Sequence, residues 1–168
     1  MRHPSNRWPR EAVIFLLDDA GVNLFFLLIA AHLCGDLLVY SDNVSEAKRK
    51  GELRSRVAAI GFHCLVHACW VWVWLWPQGI ERKITAGFFV FIAHFIIDFT
   101  RIYVEPRWLG RDKIKILKRR EVLRWLGGQG DNETRIFMKT SFVPWLTINV
   151  VDQSLHLVAI IGFVYFLA

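Results

Sequence analysis

Residues 84–104 read ITAGFFVFIAHFIIDFTRIYV, and this stretch decides the fold. It carries His94 and Asp98 within an otherwise apolar run and a single cation, Arg101, toward its end. At 1.5 Å per residue, a helix of this length covers the roughly 30 Å hydrocarbon core of a bilayer. Three further runs, Val22–Tyr40, Val57–Trp76 and Phe142–Ala168, are as long or nearly so and hold no Lys or Arg. Backbone groups in lipid have no water to bond, so each run must be a helix. The sequence predicts an all-α integral membrane protein with one domain over residues 1–168. Its core is a four-transmembrane-helix bundle at about 22–40, 57–76, 84–104 and 142–168, with a basic connection at 105–141.

Composition points the same way. The chain is 54% hydrophobic and 21% charged with a net charge of +6. Charge and apolarity are segregated into alternating blocks, which excludes a soluble globule and a disordered or fibrous chain. Eight Trp and thirteen Phe suit aromatic belts at a lipid interface. The alternation Trp70, Trp72, Trp74, Trp76 reads as such a belt, since steps of two send rings to all faces of a helix. Three Cys without a spaced framework argue against a disulfide-stapled secreted domain. Near the N-terminus, Arg2, Arg7 and Arg10 precede the run Ala12–Leu17, which Asp18 and Asp19 interrupt. That run is too short for a signal peptide and reads as a juxtamembrane amphipathic piece, with Asp19 capping the first membrane helix.

Four spans put the 41–56 and 105–141 connections on one side and the termini and the 77–83 turn on the other. Fifteen Lys and Arg fall on the first side against five on the second. The positive-inside rule makes the two basic connections cytoplasmic. Within the longer one, residues 113–126 (KIKILKRREVLRWL) place Ile114, Leu117, Val122, Trp125 and Leu126 roughly on one side, and Gly127, Gly128 and Gly130 end the pattern. A basic amphipathic helix beside membrane anchors is expected to meet anionic lipid head groups rather than nucleic acid.

Chemistry resides in the polar residues of the spans. Each span holds a pair spaced by four: His32 with Asp36, His63 with His67, His94 with Asp98, and Asp152 with His156. Residues i and i+4 share one helix face about 6 Å apart. An intramembrane carboxylate costs a few kcal/mol on insertion scales, so these pairs should converge inside the bundle. The alternating topology sorts them into two layers. Asp36, His63, Asp98 and Asp152 lie nearer the cytoplasm, and His32, His67, His94 and His156 lie one turn deeper. The reversed order on the last helix keeps the register. Imidazole with carboxylate is the ligand set of Zn²⁺, Mn²⁺ or Fe²⁺. Eight ligands suit two divalent ions, with zinc the first choice and manganese or iron the alternatives. A purely structural hydrogen-bond network and a metal-free proton relay are the competing readings. Arg101 is expected to snorkel, with an ion pair to Asp98 or a phosphate contact as alternatives. Gln153 is a candidate for supporting a ligand, Asn149 and Ser154 for helix packing, and the three Cys are not expected to ligate. Tyr40, Ser41 and Lys48 fall at the cytoplasmic mouth, where a substrate head group would be met.

The spaced set His32…Asp36, His63…His67, His94…Asp98…Arg101 and Asp152-Gln153…His156 resembles a family of small bacterial integral membrane proteins known as domain of unknown function 3307. The resemblance covers about residues 25–165. In that family the first motif continues to a Gln where this chain has Tyr40, then to a Lys matching Lys48, and Lys is usual at the position of Arg101. It implies the membrane fold, the intramembrane site and a place in the bacterial inner (plasma) membrane, and it carries no established activity. A looser similarity links the pattern to membrane-bound metal-dependent hydrolases, as analogy only.

Three functions fit. The first is a di-metal hydrolase acting on a lipid or a lipid-linked or phosphorylated substrate at the cytoplasmic leaflet, with Asp152 taking the proton from a metal-bound water. The second is a non-enzymatic metal carrier, sensor or structural metal subunit of a membrane complex. The third is a di-iron desaturase or hydroxylase, which three Asp among the ligands weaken. The expected partners are membrane lipids and either a second copy of the chain or another membrane subunit.

Overall fold

The computed structural model describes residues 19–38, 41–110 and 119–167. Among them every regular element is an α-helix: α1 Asp19–Leu38, α2 Asp42–Lys50, α3 Leu53–Trp74, α4 Ile80–Leu109, α5 Arg119–Leu126, α6 Asn132–Thr140 and α7 Phe142–Leu167. Four of these, α1, α3, α4 and α7, are long and apolar enough to cross a membrane. Tyr40, the 12–17 segment and residues 113–118 of the basic stretch lie outside the described residues.

The ends of the helices follow local chemistry. α3 begins at Leu53, earlier than the apolar run, because Arg54, Ser55 and Arg56 extend it into the polar interface. It stops at Trp74, before Pro77, a residue that disfavours helix in its predecessor. α4 outgrows its apolar run at both ends and reaches 30 residues, about 45 Å at the usual rise. Its extra turns carry Glu105 and Pro106, and it closes at Gly110, whose φ of 79° suits glycine. Gly128, with φ 75°, ends α5 as the sequence suggests: Gly128 N–H donates to the Trp125 carbonyl and Gln129 N–H to that of Arg124. Asp131 caps α6 by accepting from Thr134 N–H at 2.6 Å. Asp19 lies in the first turn of α1 rather than before it.

The membrane helices close a ring in which α1 packs on α3, α3 on α4, α4 on α7 and α7 on α1. Burial is inverted relative to a water-soluble bundle. Phe26, Phe62, Phe88, Ile96 and Val158 are exposed, whereas His32, His67, His94, Asp98, Asp152 and His156 are buried. An apolar exterior around a polar interior is stable only where the surroundings are lipid. Of the Trp alternation, Trp72, Trp74 and Trp76 are exposed, with Lys83 over the Trp76 ring at 5.0 Å, while Trp70 packs on the core.

One half of the ring interior is hydrophobic. Leu28, Val71, Val90 and Ile160 are buried in a single cluster with Leu24, Leu75 and Phe163. Those first four residues each lie four positions from His32, His67, His94 and His156, one turn further along the same face. The other half opens into a cavity of about 990 Å³. α2 covers this end, and α6 tucks below α7 through Phe137, whose ring meets that of Trp145.

Candidate metal centre and its cavity

The four deeper imidazoles meet at the centre. Ring centroids of His67 and His94 are 4.0 Å apart, as are those of His94 and His156. His32 stands 4.9 Å from His94 and 5.2 Å from both His67 and His156. The four deeper imidazoles expected from spacing to converge are therefore together in the fold. Gly35 makes it fit, because a Cβ there would lie 2.5 Å from Nδ1 and Cε1 of His67. The His67 ring thus lies directly on the α1 backbone and turns Nε2 toward the centre.

Nε2 of His67 takes part in a tight triangle. It is 3.2 Å from Nε2 of His63 and 3.2 Å from Oδ1 of Asp36, and His63 Nε2 is 3.5 Å from the same oxygen. Zinc–ligand bonds of 2.0–2.1 Å in a tetrahedron give ligand-to-ligand edges of about 3.3 Å. The three atoms are spaced as three corners of such a tetrahedron. Asp36 and His63 line the cavity, so two members of the triangle face it.

Polar partners fix the surrounding rings. Gln153 Nε2 donates to Asp36 Oδ2 at 3.3 Å, and its Oε1 lies 2.9 Å from His32 Nε2. The carboxylate sets the amide orientation, so His32 Nε2 is the donor and Nδ1 carries the lone pair. His156 Nδ1 donates to the main-chain carbonyl of Asp152 at 2.8 Å, which leaves the lone pair on Nε2. Both lone-pair nitrogens, His32 Nδ1 and His156 Nε2, are buried without a protein partner. An imidazole held at one nitrogen by a carbonyl or amide and bare at the other is the usual posture of a metal-ligating histidine. Two sets of described residues have ligand atoms close enough to share an ion, His32–His67–His94 and Asp36–His63–His67.

The remaining carboxylates have cationic partners. Lys48 Nζ donates to Asp98 Oδ2 at 2.5 Å, and that oxygen is 3.9 Å from His63 Nε2. Arg101 does not snorkel. It donates to Asp152 Oδ2 and to Asn149 Oδ1, each at 2.8 Å, and its partner is Asp152 rather than Asp98. The guanidinium turns inward because Asp152 and Asn149 on α7 offer two acceptors, and a planar fork binds both at once. Asp152 Oδ1 stays without a partner. Asn149, read as a packing residue, is therefore part of the polar wall. The three Cys stand apart from both ligand sets, and Cys64 is buried with Ile60 and Ile102.

Glu105 and Arg49 are the residues the sequence reading passed over. Glu105 is 2% exposed, and its Oε2 lies 3.3 Å from Arg49 Nε and 3.5 Å from Arg101 Nε. The spacing His94, Asp98, Arg101, Glu105 continues one helix face and was the available signal.

No curated protein and no solved structure matches this chain. The model of the family described as protein of unknown function (DUF3307) matches residues 24–168, the whole length of the membrane bundle from early α1 to the last residue, and the chain belongs to that family.

Proposed function

We propose that this chain is a metal-dependent membrane hydrolase acting on a lipid or a lipid-linked, phosphorylated substrate. One observation carries the reading: the Asp36–His63–His67 triangle has edges of 3.2–3.5 Å and borders a cavity. Three protein ligands with a fourth position open to a cavity is the arrangement of catalytic zinc, whereas structural zinc is closed by four. A neutral imidazole has one lone pair, so His67 serves a single ion. A second ion would draw on His32 and His94, the rest of the other set, and His32 has a bare buried Nδ1. Bound at the triangle, a divalent ion would supply a water nucleophile at neutral pH and polarise the scissile group.

Around that ion, Asp36 is aligned by Gln153. Asp152 keeps Oδ1 as a proton acceptor while Arg101 holds Oδ2, and water would split an ester into an acid and an alcohol. The walls suit an amphiphile. Lys48, Arg49 and Arg101 line the cavity, as do Leu37, Leu38 and Ile102. A smaller, mostly apolar groove along α7 shares Asn149 and Gln153 with it and continues past Val150 to Leu157. A head group in the cavity with its chain in that groove would lie as a lipid lies in a leaflet. The charge count favours the cytoplasmic face for this end, where residues 113–126 would meet anionic lipid.

The test is elemental analysis of detergent-purified protein beside its H67A, H94A and D36N variants. Near-stoichiometric zinc, manganese or iron in the wild type and its loss in H67A and D36N would support the centre. Equal metal in all four samples, or none in the wild type after supplementation, refutes it.

A further inference from the structure

The three cations of the cavity are all in use, and that use bears on the substrate. Lys48 holds Asp98, Arg101 holds Asp152, and Arg49 shares Glu105 with Arg101. The Lys48, Arg49 and Arg101 side chains are 16%, 19% and 15% exposed, far below what surface lysines and arginines show. Leaving the imidazoles aside, these three cations face four carboxylates, Asp36, Asp98, Glu105 and Asp152, a formal balance of −1. In that state an anion would meet a repulsive wall whose cations are already neutralised.

A divalent ion at the triangle reverses the balance to about +1, and a second to about +3. It also competes for a carboxylate. Asp98 Oδ2 stands 3.9 Å from His63 Nε2, so an ion held at that imidazole also draws on this carboxylate. Lys48 would then share its partner with the ion, and its ammonium lies on a flexible stem at the cavity wall. Arg101 presents a planar fork of the kind that suits phosphate oxygens, on the same wall.

We infer that Lys48, Arg49 and Arg101 form a phosphate subsite that works only when the metal is loaded. This rests on the metal centre proposed above and adds to it the substrate class, a phosphate monoester or phosphate-bearing head group, and the order of binding, ion first and anion second. The metal-free pairs act as placeholders that keep the buried carboxylates compensated until an ion arrives. A phosphate seated there would lie in the cavity that Asp36 and His63 also line.

The experiment uses full-length protein in detergent, metal-free and zinc-loaded, with zinc content measured in every sample. Binding of inorganic phosphate is followed calorimetrically, and binding to nanodiscs is compared for phosphatidic acid and phosphatidylcholine. The expected result is phosphate binding at least tenfold tighter in the zinc-loaded protein. In K48M and R101M it should weaken at least tenfold while zinc remains bound, and K48M should hold zinc at least as tightly as wild type. Saturation by inorganic phosphate alone identifies a free phosphate as the ligand. Preference for phosphatidic acid over both phosphatidylcholine and inorganic phosphate identifies a lipid head group, and either result supports the subsite. Zinc-bound protein that binds phosphate no better than metal-free protein, or equally well in both variants, overturns the inference and leaves the metal centre standing. A wild type that takes up no zinc overturns both.

Discussion

Gly35 is the position where a single methyl group tests the architecture. Substituting alanine places a Cβ 2.5 Å from Nδ1 and Cε1 of His67 and 2.8 Å from its Cγ, about 0.9 Å short of the 3.4 Å at which ordinary contact begins. The ring cannot swing aside. His67 is fully buried, with the His94 ring 4.0 Å away and the His63 ring 4.5 Å away. Either α1 must retreat from α3 or the imidazole must leave its place in the triangle. Overpacking of this kind costs about 1–3 kcal/mol. A ligand misplaced by nearly 1 Å should lower metal affinity about 10–100-fold, the range seen when a ligand's support is lost. The assay is thermal unfolding of metal-free G35A in detergent together with zinc competition against a chromophoric chelator. G61A and G162A serve as controls, because a Cβ at either position meets nothing within 4 Å. Adding H67A to G35A removes the obstructed ring, so the double variant should be more stable than the sum of the single effects predicts. Wild-type zinc affinity and stability in G35A, or strict additivity in the double variant, would show that α1 and His67 do not meet as described.

Two other consequences are open to measurement. Glu105→Gln leaves Arg49 and Arg101 beside a neutral amide in a site only 2% exposed. Removing one partner of a buried ion pair typically costs about 3–5 kcal/mol, so E105Q should lower the unfolding temperature clearly and R49M/E105Q should recover part of the loss. Unchanged melting of E105Q would show the pairs to be dispensable. For sidedness, S45C in α2 and Q78C in the α3–α4 turn should label from opposite faces of sealed membrane vesicles, with S45C accessible from the cytoplasm. The reverse pattern would invert the topology.

The four i,i+4 pairs were legible because helical periodicity alone puts both members on one face, and because a charged or imidazole side chain in lipid has nowhere favourable to go but inward. Matching depth followed from alternating helix direction, so the convergence of His32, His67, His94 and His156 needed no tertiary information. The allocation of partners did. Lys48 reaches Asp98 because α2 folds back over the cavity, and nothing in the spacing of residues 41–56 encodes that return. Arg101 was expected at the interface because snorkelling is the default for a long cation near a helix end. Asn149 and Asp152, brought alongside by α7, change the outcome. Glu105 was lost at the boundary between span and connection, since hydropathy falls after Val104 although the helix and its polar face continue to Leu109. Gly35 looked like any small residue in a membrane helix until the ring lying on it was known.

The same four-residue step that pairs the ligands also sets what lies behind them. Leu28, Val71, Val90 and Ile160 form an apolar layer one turn deeper than the imidazoles, on the same four helices. On the other side come Asp36, His63, Asp98 and Asp152, then Lys48, Arg49, Arg101 and Glu105 at the cavity. Polarity therefore rises in one direction only, from a sealed hydrocarbon plug through imidazoles to charged walls. An ion entering from the cavity would meet groups of falling charge and then, among the described residues, an apolar layer. A carrier built on this bundle would have to open the packed layer of Leu28, Val71, Val90 and Ile160 to release its cargo on the far side, and ring packing among the four helices gives that layer little freedom to part. A hydrolase needs no second exit: substrate, water and products share one cavity, and the plug keeps the low-dielectric floor that strengthens each electrostatic contact above it. The asymmetry of the layers thus favours chemistry at the mouth over passage through the bundle.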